Sequence, residues 1–323
     1  MTRPRKAEGK LQDAVRAATP PDTHEQAGSF SATLPVVVPY RLDLTVNALR
    51  RVSENVVDVV TDDGCYLRAL RGPDGIDVIE VRQLEKDKLD VRVFGPGGRA
   101  RLQTVTWMLG TDIDLRAWYK RVKAFPWLSE LSRELRGLKP PRYPDLWEAL
   151  CHGIVFQQLS IAAAATIMKG MVERLSISLE HRSIQLYPFP HPQAILEASD
   201  STMRTLGISR MKTSYLKNAA TAVLDGTLRD DSIRGLPTAE AAAELMRLRG
   251  IGPWSAANIL LRGFGRLDTF PLADTGVAAN MTLLSGNPNI QVDAVLDGLG
   301  DIRGLLYFHL LLGGRAMRAR MRS

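Results

Sequence analysis

The sequence predicts a mainly α-helical fold preceded by a small α+β module, and three observations carry that prediction. Short β-branched runs broken by Gly, Pro and Asp fill residues 33–98. From about residue 105 to the end, apolar residues recur at helical spacing. Late in the chain, LRGIGPWSAANILL (248–261) joins two such stretches through a tight glycine turn.

Taken in order, residues 1–30 are polar, with a Thr-Pro-Pro break at 19–21, and read as a disordered arm. The module spans 31–104. Its strand candidates are TLPVVVP, NVVDVVTD, CYLRALRG, GIDVIEV and KLDVRVFG, with a helical LDLTVNALRRV between the first two. No chemistry is visible in it. The all-α region is expected over 105–323, as two subdomains with a cleft between about 146–265 and the pair 105–145 plus 266–323. Pro140, Pro141 and Pro144 stop one element, and Asp145 can cap the next. YPFPHPQ (187–193) reads as a linker into AILEASDSTMRTLG, a helix ended by Gly207. SRMKTSYLKNAATAVLDGTL and TAEAAAELMRLRG read as further amphipathic helices.

The 323 residues carry a net charge of +7, with a pI of about 9.5. This points either to a polyanionic partner or to a basic enzyme with a solvated surface. Two cysteines, Cys65 and Cys151, exclude a disulfide framework, a cysteine-ligated iron–sulfur cluster and a zinc ribbon. The basic N-terminus has no apolar core and is not a secretory signal, and no run is long enough to span a bilayer. No membrane partner is expected, and residence is expected in the cytoplasm, with the nucleoid, or in a nucleus. The five histidines are scattered without metal spacing, and His309 reads as a packing or surface residue.

Gly250-Ile251-Gly252 is not a dinucleotide fingerprint. The preceding AEAAAELMRLR is helical rather than a strand, and Ser255 stands where a third glycine would be. A glycine turn between helices instead points backbone N–H groups outward at the start of the second helix, where a phosphate can approach. The alternative is a glycine turn that merely ends a helix. Downstream, Asp274 lies twenty residues after Trp254, where helical spacing resumes at Val277, Met281 and Leu284. The helix N-terminus favours a carboxylate there. An ordinary N-cap aspartate is the alternative.

Together, L-x-G-I-G-P-W-S-A and the DTFPLAD segment ending on Asp274 resemble the helix-hairpin-helix (HhH-GPD) DNA glycosylase superfamily, nearest to its 3-methyladenine DNA glycosylase II group. Two further stretches fit, 138–164 and 189–220, and the resemblance runs from about Thr33 to Arg315. It implies a helix-hairpin-helix glycosylase fold acting on damaged bases in double-stranded DNA, as a monomer. The damaged base is flipped into a pocket, and a carboxylate stabilises the positive charge that builds on the sugar. By resemblance that carboxylate is Asp274. Gln158, Gly250, Gly252, Trp254 and Ser255 would contact DNA, with Gln158 filling the gap left by the flipped base or lying on a helix surface. No cofactor is required. Backbone carbonyls of Met246, Leu248 and Ile251 match positions that hold a Na or K ion in the family.

Trp254 stands where bifunctional relatives place a Schiff-base lysine, which implies a monofunctional enzyme. Its π face would also attract an electron-poor alkylated purine, unless the indole only packs between helices. The remaining pocket positions match Asn258, Thr275 and Ile302, none aromatic where the family often is. Two rival readings stand beside a glycosylase for alkylated purines. One is a glycosylase of the same fold for oxidised or deaminated bases. The other is a non-catalytic DNA-binding protein, which would have no reason to keep Asp274 at this spacing.

Overall fold

The computed structural model describes residues 23–26, 28–272 and 274–322. Strands β1 (Thr23–Gln26) and β2 (Ser29–Pro35) open the chain, followed by helix α1 (Leu42–Arg50). Strands β3 (Val59–Val60), β4 (Tyr66–Gly72), β5 (Gly75–Glu85) and β6 (Lys88–Phe94) complete an antiparallel sheet in the order β1-β2-β6-β5-β4-β3. One face follows from alternation: Phe30, Ala32 and Leu34 on β2 and Leu89, Val91 and Val93 on β6 are buried. The arm expected to be disordered is thus a strand from Thr23. Its polar THEQ gives no apolar alternation, because an edge strand pairs through its backbone. Residues 1–22 of that arm lie outside the described residues.

Helix α2 (Arg101–Leu109) straddles the boundary expected at 104 and packs Val105, Met108 and Leu109 into the same core as the sheet. Helices α3 (Arg116–Arg121) and α4 (Pro126–Glu134) follow. Next come α5 (Leu146–Val155) and α6 (Ile161–Leu175), capped by Asp145 and Ser160, whose side chains accept the N–H groups of Glu148 and Ala163. A hairpin of β7 (Leu179–His181) and β8 (Ile184–Leu186), too short to show a period, leads to α7 (Pro192–Glu197) and α8 (Asp200–Thr205). The single helix expected there is broken because Ser199 caps α8 by accepting Thr202 N–H. Then come α9 (Arg210–Leu224), α10 (Asp230–Gly235), α11 (Thr238–Met246), α12 (Pro253–Phe264), α13 (Thr275–Ser285), α14 (Val292–Leu299) and α15 (Gly304–Arg320).

Two large apolar cores result. One joins the sheet to α2 and α5–α12. The other gathers α3, α4 and α13–α15. Helix α1 is common to both: Leu42, Val46 and Leu49 enter the first and Ala48 the second. A buried ion-paired triad, Arg68 between Asp58 and Glu148, ties the sheet to α5. Pairing satisfies charges that burial alone would penalise. No described helix is long and apolar enough to cross a membrane.

Candidate active site and nucleic-acid interface

A cavity of about 1150 Å³ opens between the two cores. One wall comes from the α5–α6 loop, α9 and the α11–α12 turn, and the other from α13 and α15. Among the described residues none of 105–145 lines it, although that segment was expected on one wall. Arg51, at the end of α1, takes part instead.

The turn between α11 and α12 gives its two glycines different duties. Gly250 has φ +94°, and a Cβ there would sit 2.2 Å from the ring of Tyr215. Its lack of a side chain serves the fold. Gly252 is extended (φ −98°), and a Cβ there would meet nothing within 4 Å. It is the N-cap of α12 and supplies no side-chain cap, while Pro253 at the first helical position has no N–H. The first-turn amides of Trp254 and Ser255 therefore have no intrahelical acceptors. That is an anion-binding arrangement over open space. Ser255 contributes backbone only. Its side chain is buried, and its hydroxyl donates to Gly153 O and accepts from Gln157 Nε2.

Gln157 also donates to Gly250 O (2.7 Å), which fastens the α5–α6 loop to the turn. Lys212 donates to Val155 O and Gln157 O, both at 2.8 Å, holding the loop from α9. Gln158 is thereby presented at the cavity edge, exposed and with φ +54°. A non-glycine residue adopts that conformation only where its surroundings hold it.

Asp274 is the N-cap of α13. Its Oδ1 accepts the N–H groups of Gly276 (3.0 Å) and Val277 (3.1 Å), and its Oδ2 accepts Trp254 Nε1–H (3.1 Å). The hairpin tryptophan and the aspartate are thus one unit across the cavity. Sequence reasoning placed both residues but missed this bond, since a spacing of twenty residues does not report a side-chain contact. Both carboxylate oxygens are held; Oδ1 is filled by its two amides, and Oδ2, with one bond, retains acceptor capacity.

Three expected pocket residues fare differently. Asn258 is buried and lines a small second cavity behind Trp254, with Tyr143, His152 and Arg262, rather than the main one. Ile302 does not line the main cavity among the described residues. It sits on a 3₁₀ turn before α15 and packs against the second core, on a turn whose Asp301 pairs with Arg121 of α3. Thr275 opens α13, and its side chain lies outside the described residues. Met246, Leu248 and Ile251 stand on the turn, where Leu248 O accepts Ile251 N–H (3.0 Å). A carbonyl retains a second lone pair in such a bond. Among the described residues no cluster of His, Cys, Asp and Glu could hold a metal.

Arg51 was missed altogether. It is 6% exposed, and its guanidinium lies 4.3 Å from the Phe156 ring centroid. Burial works against its charge, but nearby Tyr143, Tyr307 and Asp274 favour it, and the balance raises its pKa above the ordinary arginine value. No motif surrounds it in the sequence that could have announced it.

The fold and this hairpin-plus-aspartate geometry define a class. Residues 151–296 match the HhH-GPD superfamily base excision DNA repair protein. Among curated proteins, the chain is similar to the DNA-3-methyladenine glycosylase of Bacillus subtilis (strain 168), with 30% identity over 54% of this chain and 57% of that one. It is also similar to DNA-3-methyladenine glycosylase 2 of Escherichia coli (strain K12), with 29% identity over 44% of this chain and 50% of that one. The matched region therefore spans about half the length of these relatives. The 3-methyladenine DNA glycosylase structure from Archaeoglobus fulgidus superposes with a TM-score of 0.76 at 21% identity, covering 88% of this chain and 98% of that one, and shares the fold.

Proposed function

We propose that the protein is a monofunctional DNA glycosylase of base excision repair. It would hydrolyse the N-glycosidic bond of flipped-out alkylated purines, of the 3-methyladenine and 7-methylguanine type, and leave an abasic site. The observation that carries this is Asp274, fixed from both sides by α13 amides and by Trp254, on the wall of a cavity beside hairpin amides without intrahelical acceptors. The relatives' names support the same substrate class. Hairpin amides hold a phosphate of double-stranded DNA, Gln158 enters the gap in the stack, and the base enters the cavity. As the glycosidic bond breaks, positive charge develops on the sugar. A pre-oriented carboxylate stabilises that charge and orients the attacking water.

Covalent attack has no amine to use at position 254. Lys212 also lines the cavity, but its ammonium is held by two carbonyls. A Na or K ion at the Met246, Leu248 and Ile251 carbonyls would stiffen the turn. These are neutral oxygens, suited to a weakly bound monovalent cation.

The test is purified protein with methylated duplex DNA. Free 3-methyladenine and 7-methylguanine should appear, and strands should break only after heat or alkali. Borohydride added during the reaction should trap no protein–DNA adduct. A trapped adduct would overturn the monofunctional assignment, and intact bases after prolonged incubation would overturn the function.

A further inference from the structure

The position of Arg51 is fixed from three helices. Arg262 on α12 donates to Ala48 O (3.2 Å) and Leu49 O (3.0 Å), closing the end of α1. Arg315 on α15 donates to Arg51 O (2.7 Å). The Arg51 backbone is thereby held at φ +60°, a region that non-glycine residues rarely enter. The result is a buried guanidinium in the same cavity as Trp254 and Asp274. Its Nε has no hydrogen-bond partner among the described residues. A buried charged donor without an acceptor is costly unless something supplies one.

We propose that Arg51 is a specificity-determining residue that donates to acceptors on the edge of the flipped purine, so the site favours carbonyl-bearing purines such as hypoxanthine over 3-methyladenine. The proposal rests on the glycosylase reading of Asp274 and orders its substrates. A guanidinium offers donors only and keeps its positive charge. Hypoxanthine is neutral and presents O6 and N7, the pair of acceptors that arginine reads on guanine. 7-Methylguanine keeps O6. 3-Methyladenine is cationic in DNA and carries an amino group at the same edge, so it meets Arg51 with like charge and with a donor against a donor. Stacking on Trp254 favours the cationic base, and Arg51 opposes it.

The experiment measures release of hypoxanthine from duplex DNA and of 3-methyladenine from methylated duplex DNA, at saturating enzyme. The proteins are wild type, Arg51→Gly and Arg51→Gln. Glycine suits φ +60°, and glutamine keeps neutral donors, so the pair separates loss of the group from loss of its charge. Thermal unfolding reports whether each variant is folded. In Arg51→Gly the ratio of hypoxanthine to 3-methyladenine release should fall roughly tenfold to a hundredfold, the scale of one good bidentate contact to a base. Arg51→Gln should fall between the two proteins. An equal fall for both bases in folded variants would make Arg51 a packing residue and overturn the inference while the glycosylase reading stands. A wild-type protein that releases 3-methyladenine but leaves hypoxanthine would do the same. Release of neither base would sink both.

Discussion

At the scale of single residues, the Asp274–Trp254 bond decides what each side chain contributes. Asp274→Asn keeps an oxygen for the α13 amides but removes the charge that acts on the transition state. Base release should fall by at least roughly 10²–10³-fold, the cost of one lost electrostatic contact of this kind. DNA affinity should change little, and excision at the wild-type rate would show that another group carries the chemistry. Trp254→Phe is the sharper variant, because it keeps an apolar ring in the cavity while deleting the N–H that holds Oδ2, together with part of the indole's bulk. Hydrogen bonds to charged groups contribute about 1.5–3 kcal/mol. If that orientation is worth as much in the transition state, release should slow by roughly ten- to a hundredfold for cationic and neutral bases alike. A slowing confined to cationic bases would instead assign the indole to cation–π attraction, whose scale is about 0.5–2 kcal/mol.

At the scale of elements, the α11–α12 turn separates folding from binding within three residues. Gly252→Glu adds a side chain to open space, so thermal stability should hold. The added negative charge sits where a phosphate would lie, so affinity for undamaged duplex should drop. The slope of log affinity against log salt, about −0.9 per phosphate neutralised, should become shallower. Unchanged affinity would remove the turn from the interface. Gly250→Ala should do the reverse and cost stability first, because the ring of Tyr215 occupies the space of a Cβ and φ is positive. The turn was legible in the sequence because its residues are consecutive and their chemistry is local. So was the Asp145 cap, which is set by the residues that follow it. The β7–β8 hairpin and the break between α7 and α8 were not legible, since three-residue strands show no period and a serine cap inside an apolar pattern is easily read through. Arg51 was illegible for a different reason: its surroundings are built from residues more than ninety positions away along the chain.

For the whole molecule, a buried histidine, His309, and a largely buried one, His152, predict how stability depends on pH. His309 lies in the second core against Trp118, its Nδ1 against Leu305 O at 2.9 Å, and burial lowers its pKa to about 4. His152, stacked on Tyr143 at 4.2 Å, shifts the same way for the same reason. In the unfolded chain each titrates near 6.5. Above that pH both states hold neutral histidine and the folded state is favoured fully. As pH falls from about 6.5 towards 4, the unfolded state gains protons that the folded state refuses, and stability declines. Each histidine contributes a slope of up to about 1.4 kcal/mol per pH unit. Denaturant unfolding of His309→Gln across this window should show a slope smaller by about one proton. An identical slope would mean that His309 takes up its proton while folded.

The bonds that seat Arg51 also set the order in which the site comes into being during synthesis. Its carbonyl waits for Arg315, 264 residues later in the chain. At about 5–20 residues per second, translation needs roughly 13–50 s to travel that distance. A growing chain therefore contains every strand of the sheet long before it contains every group of the pocket, and the hairpin and Asp274 emerge between the two. Release of ribosome-bound chains at defined lengths should give DNA binding before base selection, with discrimination between purines arriving only once α15 has been made.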